Sequence, residues 1–355
     1  MVKGKILKQD DLVLVTGGAG YVGSHLVRLL LSRGYRVRIL DAFLYGDRGI
    51  RDCAADPRLE IVRGDICNAR DMIRAVKGAR AVIALAALVG DGACDLDRDE
   101  TTAINIESSR LLASVVRATP EVDRVVFASS CSVYGATDGL ILNEGSRLNP
   151  VSFYARTRIA SERILGEALG DRSLVTLRLG TVFGASPRMR LDLMINTMTH
   201  RAFRDRKITV MGGQAWRPHV HCRDVAAAFA LAAEASHDLV RGEVFNVGSD
   251  ANNFTISEVA VMVAAEVPGT EIEYADTVED LRSYRVSFEK IRHVLGYSTR
   301  YRVEDGIREV LAMLERGDVD GDDERTSNLR YLQLHGFGGE PPIASEQTAE
   351  SSAAS

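Results

Sequence analysis

The stretch Thr16-Gly17-Gly18-Ala19-Gly20-Tyr21-Val22-Gly23-Ser24 constrains this chain more than any other, because it joins two kinds of apolar pattern. Leu12 to Val15 has the unbroken apolar character of a strand buried on both faces, and His25 to Leu31 continues with helical periodicity. The glycines therefore fall at a strand-to-helix turn. In the spacing G-x-G-x-x-G, Gly18 permits the tight turn, Gly20 lets backbone N–H groups approach a pyrophosphate, and Gly23 allows close helix–strand packing. The positive end of the helix then faces the phosphates. The spacing alone is common, and its context carries the weight. A second strand, Tyr35 to Leu40, ends in Asp41, at roughly the 20-residue separation where a carboxylate accepts hydrogen bonds from an adenosine ribose diol. The same acid repels a 2′-phosphate, which points to NAD rather than NADP.

The pattern repeats downstream. A strand at Leu59 to Val62, a helix at Ala69 to Val76 and a strand at Ala79 to Leu85 give the βαβ alternation of a parallel sheet with right-handed crossovers. Asp65 and Ile66 fall at a strand's carboxyl end, where Asp65 meets an adenine amino group or caps the next helix, and Ile66 covers the adenine face. A helix over 101–118, a strand at Arg124 to Ala128, a helix over 151–169 opened by Pro150, and a strand at Ser173 to Leu179 follow. Beyond Gly180-Thr181-Val182-Phe183-Gly184 the order loosens into short elements, and from about Gly338 the chain is too polar and simple to pack.

Composition excludes several classes. The net charge of −5 leaves no basic face for nucleic acid, and the apolar run Ala79 to Val89 is too short to span a bilayer. The five cysteines are scattered and lack a C-x-x-C pair, so neither a disulfide framework nor a zinc site is expected, and a reducing, cytoplasmic setting follows. His219 and His221 have no carboxylate partner at metal-ligand spacing, so no metal is assigned.

Taken together, T-G-G-A-G-Y-V-G-S at 16–24, L-D at 40–41, G-D-I at 64–66, A-L-A-A at 84–87, S-S-C-S-V-Y-G at 129–135, Tyr154 with a basic residue four on, and R-P-H-V-H at 217–221 resemble the extended short-chain dehydrogenase/reductases, in particular nucleotide-sugar epimerases, dehydratases and ketoreductases. The resemblance runs from about residue 11 to 316 and implies an α/β fold: a Rossmann-type doubly wound parallel sheet of seven strands with a smaller C-terminal α/β substrate domain. On this reading residues 1–180, with return segments from 215–250, hold NAD, residues 181–334 hold a nucleotide-diphosphate sugar, and 335–355 form a disordered tail. The implied cofactor contacts are Gly17, Gly20, Tyr21, Val22, Gly23, Asp41, Asp65, Ile66, Leu85, Ala86, Tyr154 and Arg158. A homodimer joined by helices 101–118 and 151–169 is expected as well.

The chemistry also follows from the residues. Tyr154 and Arg158 share one helix face, so a guanidinium beside the phenol should lower its pKa and make it a general base for a sugar hydroxyl whose carbon gives up hydride. Ser130, at the end of the neighbouring strand, is placed to hydrogen-bond the same oxygen and steady a developing carbonyl. Arg158 departs from the family, which has Lys there; either the pocket has adapted or arginine is a relic of a weakened site. The family's 4,6-dehydratases carry Asp-Glu where this chain has Cys131 and Ser132, which disfavours a dehydratase of the usual kind. Cys131 is read either as an acid/base thiol contacting substrate or as a small buried residue under the site. Thr181 stands where many relatives place a diphosphate-binding Asn, while Arg217, with Arg282 or Arg285, is expected on the diphosphate. An NAD-dependent epimerase is the leading reading, ahead of a 4-ketoreductase or dehydratase of the same fold; from another class, a non-catalytic dinucleotide-binding regulator fits the departures at Thr181 and Arg158.

Overall fold

The computed structural model describes residues 6–135, 139–170, 173–275 and 282–337. Seven strands form one sheet, in the order Glu243–Val247, Ser173–Leu179, Arg124–Ser130, Ala81–Ala84, Leu12–Thr16, Arg36–Asp41 and Leu59–Arg63. Every neighbouring pair is parallel. This is the Rossmann-type doubly wound α/β sheet that the glycine turn and the βαβ alternation imply. Its strand order reverses between Leu12–Thr16 and Ala81–Ala84, the place where such sheets open a crevice at their carboxyl ends.

Strands covered on both faces need apolar residues throughout, and Leu12, Val13, Leu14 and Val15 are all buried. On one face, Leu26, Val27 and Leu30 of the helix Gly23–Ser32 pack with Val225, Phe229 and Ala233 of the helix Cys222–Glu234. On the other, Met72, Leu112, Val116 and Leu165 come from helices Ala69–Val76, Ser108–Arg117 and Phe153–Leu169. The chain returns to the sheet between Cys222 and Val247, a narrower span than expected, because the strand Trp216–His221 joins a separate three-stranded sheet with Thr181–Phe183 and Asn253–Thr255. Helices Met194–Asp205, Ile256–Glu266 and Val303–Glu315 build a smaller core around Ile195, Val259 and Ile307.

Three local expectations change. The helix expected over 101–118 is a composite: Arg98–Thr102 is α-helical, Ala103–Glu107 widens into a π-helical turn, and Ser108–Arg117 resumes the α-helix. The widening leaves the Asn105 side chain free to accept from the Leu88 N–H at 2.9 Å and donate to its carbonyl at 3.0 Å, a pattern common beside functional sites. The helix after Pro150 begins at Phe153, with Ser152 as its cap. The disordered tail expected from residue 335 begins too early, since His335 closes the helix Asn328–His335; residues 338–355 lie outside the described residues.

Candidate active site

At the switch point, Gly17 takes φ 72°, a conformation in which a Cβ would stand 2.9 Å from the Ala86 nitrogen. The turn closes through Gly17 N–H to Leu40 O at 2.9 Å and Gly20 N–H to Gly17 O at 3.1 Å. Helix Gly23–Ser32 starts at Val22 with no side-chain cap and no acidic residue in its first turn; Ser24 N–H already bonds Gly20 O at 2.9 Å, so the N–H groups left for an anion are those of Val22 and Gly23. Asp41 accepts from Ala19 N–H at 2.9 Å and from Phe43 N–H at 2.8 Å, one on each oxygen, which leaves a lone pair on each for a ribose diol. Burial pushes the Asp41 carboxyl up, opposed by those two N–H groups and by Arg188 and Arg63. A cradle without Cβ atoms, an uncapped helix start and a fixed carboxylate suit a dinucleotide pyrophosphate and its adenosine ribose.

Around it, Asp65 accepts from Cys67 N–H at 2.8 Å, and the next helix is capped by Asn68 instead, so the capping alternative for Asp65 falls. Leu85 and Ala86 run beside Thr16, whose Oγ accepts the Ala86 N–H at 3.2 Å. The Tyr21 hydroxyl donates to Gly184 O at 2.5 Å and its ring is buried, so a contact of Tyr21 with the cofactor would come from its backbone. A cavity of about 20 Å³ lies between Thr16, Ile66, Ala86, Asn105, Phe127 and Arg158.

The three chemistry-bearing residues converge on this crevice. Ser130 ends the strand Arg124–Ser130; its hydroxyl accepts from Ser132 N–H at 3.1 Å and is near enough to the Tyr154 phenol to favour its ionised form. Arg158 sits with its guanidinium carbon 5.5 Å from the Tyr154 ring centroid and 5.6 Å from that of Phe127, and Nη1 donates to Ala128 O at 3.4 Å. Arg158 is only 3% exposed and its Nε has no partner among the described residues. The expected lowering of the Tyr154 pKa does not emerge: burial outweighs Arg158 and Ser130 and raises it. Tyr154 packs against a small cluster of Leu88, Ala93, Cys94 and Leu332, and Phe337 flanks it. The phenol is thus the resting form, and the cation and the serine temper a shift that burial sets.

The substrate side is less uniform. Of the two readings of Cys131 the structure favours the small buried residue over the substrate-contacting thiol: it is fully buried, its Sγ donates to Arg178 O at 3.3 Å and burial pushes the thiol up. Thr181 lies on Thr181–Phe183, paired with His219. Arg217 is 6% exposed, spans the Tyr284 ring at 5.4 Å, and donates from Nη1 to Trp216 O at 2.8 Å and to Arg282 O. Arg282 forms an ion pair with Asp91. Arg285 stacks on Trp216 at 4.6 Å, leaving that indole as packing. His219 is buried with its pKa lowered to about 3, and His221 meets Glu309 at 3.0 Å. Among the described residues no cluster of His, Cys, Asp and Glu could hold a metal, and no helix is long and apolar enough to cross a membrane.

Sequence reading missed Asp91, Asn105 and the C-terminal helix. Asn328 of that helix accepts from Arg188 Nη2 at 2.7 Å, donates its N–H to Asp192 at 3.0 Å, and reaches Val89 O at 3.5 Å, while Tyr331 meets the Tyr45 ring edge at 5.1 Å. No local pattern marks these partners, which lie far apart in the chain.

A sequence model of the NAD dependent epimerase/dehydratase family matches residues 13–248. A dTDP-glucose 4,6-dehydratase of Actinoplanes is 29% identical over 84% of this chain and 96% of its own length. A UDP-glucose 4-epimerase of Corynebacterium glutamicum is 29% identical over 81% of this chain and 91% of its own. The solved structure of MoeE5 with UDP-glucuronic acid and NAD superposes with a TM-score of 0.73 at 31% identity, covering 86% of this chain and 99% of that one. The chain belongs to the NAD-dependent epimerase/dehydratase family, of the extended short-chain dehydrogenase/reductase type, and its cofactor is NAD.

Proposed function

We propose that the protein is a nucleotide-sugar epimerase that oxidises one sugar carbon transiently and returns the hydride to the other face. The observation that carries this reading is the convergence of Ser130, Tyr154 and Arg158 beside the glycine turn. NAD supplies the hydride acceptor when bound. Tyr154 takes the hydroxyl proton at its phenol oxygen and gives it back, and Ser130 holds the same oxygen. Arg158 keeps positive charge beside the phenol and, on this reading, replaces the family lysine as an adapted residue.

A dehydratase is disfavoured by the enclosed Cys131 and by Ser132, which put no carboxylate where the resemblance expects Asp-Glu. The complete Ser130–Tyr154 pair argues against a non-catalytic regulator. The sheet up to residue 180 with its return segments would hold NAD, residues 181–334 the nucleotide sugar through Arg217 and Arg282, and helices 101–118 and 151–169 would join two copies.

Incubation with a panel of UDP- and dTDP-sugars, followed by NMR, should show a change at one stereocentre with no net change in nicotinamide absorbance. A stoichiometric loss of NADH absorbance would establish the ketoreductase instead, and a deoxy-keto product the dehydratase. Titration of the apo-protein should show NAD binding at least about tenfold tighter than NADP, a difference of about 1.4 kcal/mol, because Asp41 would be desolvated against a 2′-phosphate. Equal affinities would remove the ribose role of Asp41.

A further inference from the structure

A buried ion pair with a two-point contact lies behind Ser130. Arg178 donates to both oxygens of Glu162, from Nε at 3.0 Å and from Nη2 at 2.7 Å, and the two side chains are 6% and 11% exposed. Each partner stands beside a catalytic element. Glu162 is one turn beyond Arg158 on the helix Phe153–Leu169 that also carries Tyr154. Arg178 is the cross-strand neighbour of Ser129, the residue before Ser130. The Ser129 hydroxyl donates to Glu162. After Ser130, the turn Cys131–Tyr134 is tied to the same arginine: the Cys131 thiol donates to its carbonyl at 3.3 Å, and Nη1 donates to the Tyr134 hydroxyl at 3.1 Å. Tyr134 in turn donates to Asn246 at 2.7 Å on the next strand.

Ser130 is therefore flanked by Ser129, bonded to the Glu162 carboxylate, and by the turn Cys131–Tyr134, whose Tyr134 hydroxyl takes a bond from the Arg178 guanidinium while Cys131 is tied to the Arg178 backbone; the pair also grips the helix bearing its catalytic partner. A buried pair is costly to desolvate and is often matched in stability by apolar residues of similar volume, so stability alone does not account for it. We propose that Glu162 and Arg178 are positioning residues that fix the Ser130 hydroxyl against the Tyr154 phenol. The inference rests on the catalytic reading of Ser130 and Tyr154. Ser130 lies on a strand and Tyr154 and Arg158 on a helix, and a displacement of a few tenths of an ångström between the two alters a hydrogen bond to a transition state.

Three variants test it. Glu162→Leu/Arg178→Met removes both charges together and should keep a melting temperature near wild type. Its kcat on the sugar turned over by the wild type should fall at least about tenfold, with KM changed little. Ser129→Ala removes only the tie between strand and Glu162 and should lower kcat by a smaller factor, with Ser129→Thr restoring it. A second readout needs no turnover: the tyrosinate absorbance of Tyr154, taken as the difference from Tyr154→Phe. The charged and titratable groups that face this phenol are Arg158, Cys94 and Asp91, all retained in the variants. Loosening Ser130 should move its titration to higher pH. If the double variant and Ser129→Ala both kept wild-type kcat and an unmoved Tyr154 titration, the positioning role would be wrong. Should the double variant fail to fold, Ser129→Ala decides by the same two readouts. A shifted titration in a protein that turns over no sugar would uphold the brace and overturn the epimerase reading.

Discussion

Tyr154→Phe is expected to lower kcat by about 10²–10⁴-fold, the usual worth of a positioned proton-transfer group, while substrate and NAD affinities stay near wild type. Phenylalanine keeps the ring beside the Arg158 guanidinium, 5.5 Å from it, and keeps the packing against Leu88, Cys94 and Leu332. Only the phenol oxygen is lost. Because burial holds the wild-type phenol above its ordinary value, the wild-type rate should climb with pH on the alkaline side, as the phenolate fraction grows. Removing the opposing cation in Arg158→Ala should shift that climb to still higher pH, and Arg158→Lys should bring it back. Steady-state kinetics across pH check all three variants. Retention of more than a tenth of wild-type kcat in Tyr154→Phe would show that another group moves the proton.

The second large effect is expected at Gly23. A Cβ there would stand 2.1 Å from Gly17 O and 2.9 Å from Gly18 Cα, closer than any real contact, and both are backbone atoms that cannot swing away. Gly23→Ala must therefore open the turn and misdirect the N–H groups at the start of the helix. NAD affinity should fall by at least about a hundredfold, roughly 2.7 kcal/mol. Gly166→Ala is the matched control: it sits in the helix Phe153–Leu169, a Cβ there meets nothing within 4 Å, and alanine favours a helix by about 1 kcal/mol. Calorimetric titration of both variants, with circular dichroism to establish folding, makes the comparison. A folded Gly23→Ala protein binding NAD within threefold of wild type would mean the phosphates lie elsewhere.

Much of the sheet was legible because a two-sided strand leaves an unmistakable mark: Leu12–Thr16 and Ser173–Leu179 lie within a residue of the apolar runs that announced them. The Ser130–Tyr154–Arg158 grouping was legible for a related reason, since helical spacing puts residues 154 and 158 together whatever surrounds them. Surroundings are what spacing omits. The sign of the Tyr154 shift depends on Leu88, Cys94 and Leu332, contributed by distant segments, and burial won where the sequence showed only a cation. Cys131 illustrates the same limit, because the chain leaves the strand after Ser130 into a tight turn that aims the thiol at Arg178 O. Asp91 and Arg282, 191 positions apart, carry no motif at all.

The helix Asn328–His335 bears on how the protein lives with its cofactor. It is fastened to Arg188 and Asp192 on one side and to Val89 on the other, with Tyr331 against Tyr45 in the loop after Asp41. A dinucleotide seated between Asp41 and Tyr154 would be fenced in by those contacts and would exchange with the bulk pool only as often as they part. On the epimerase reading proposed above, such a protein would carry its oxidant from one turnover to the next, and its rate would answer to the supply of sugar while remaining deaf to the oxidised-to-reduced ratio of the medium around it.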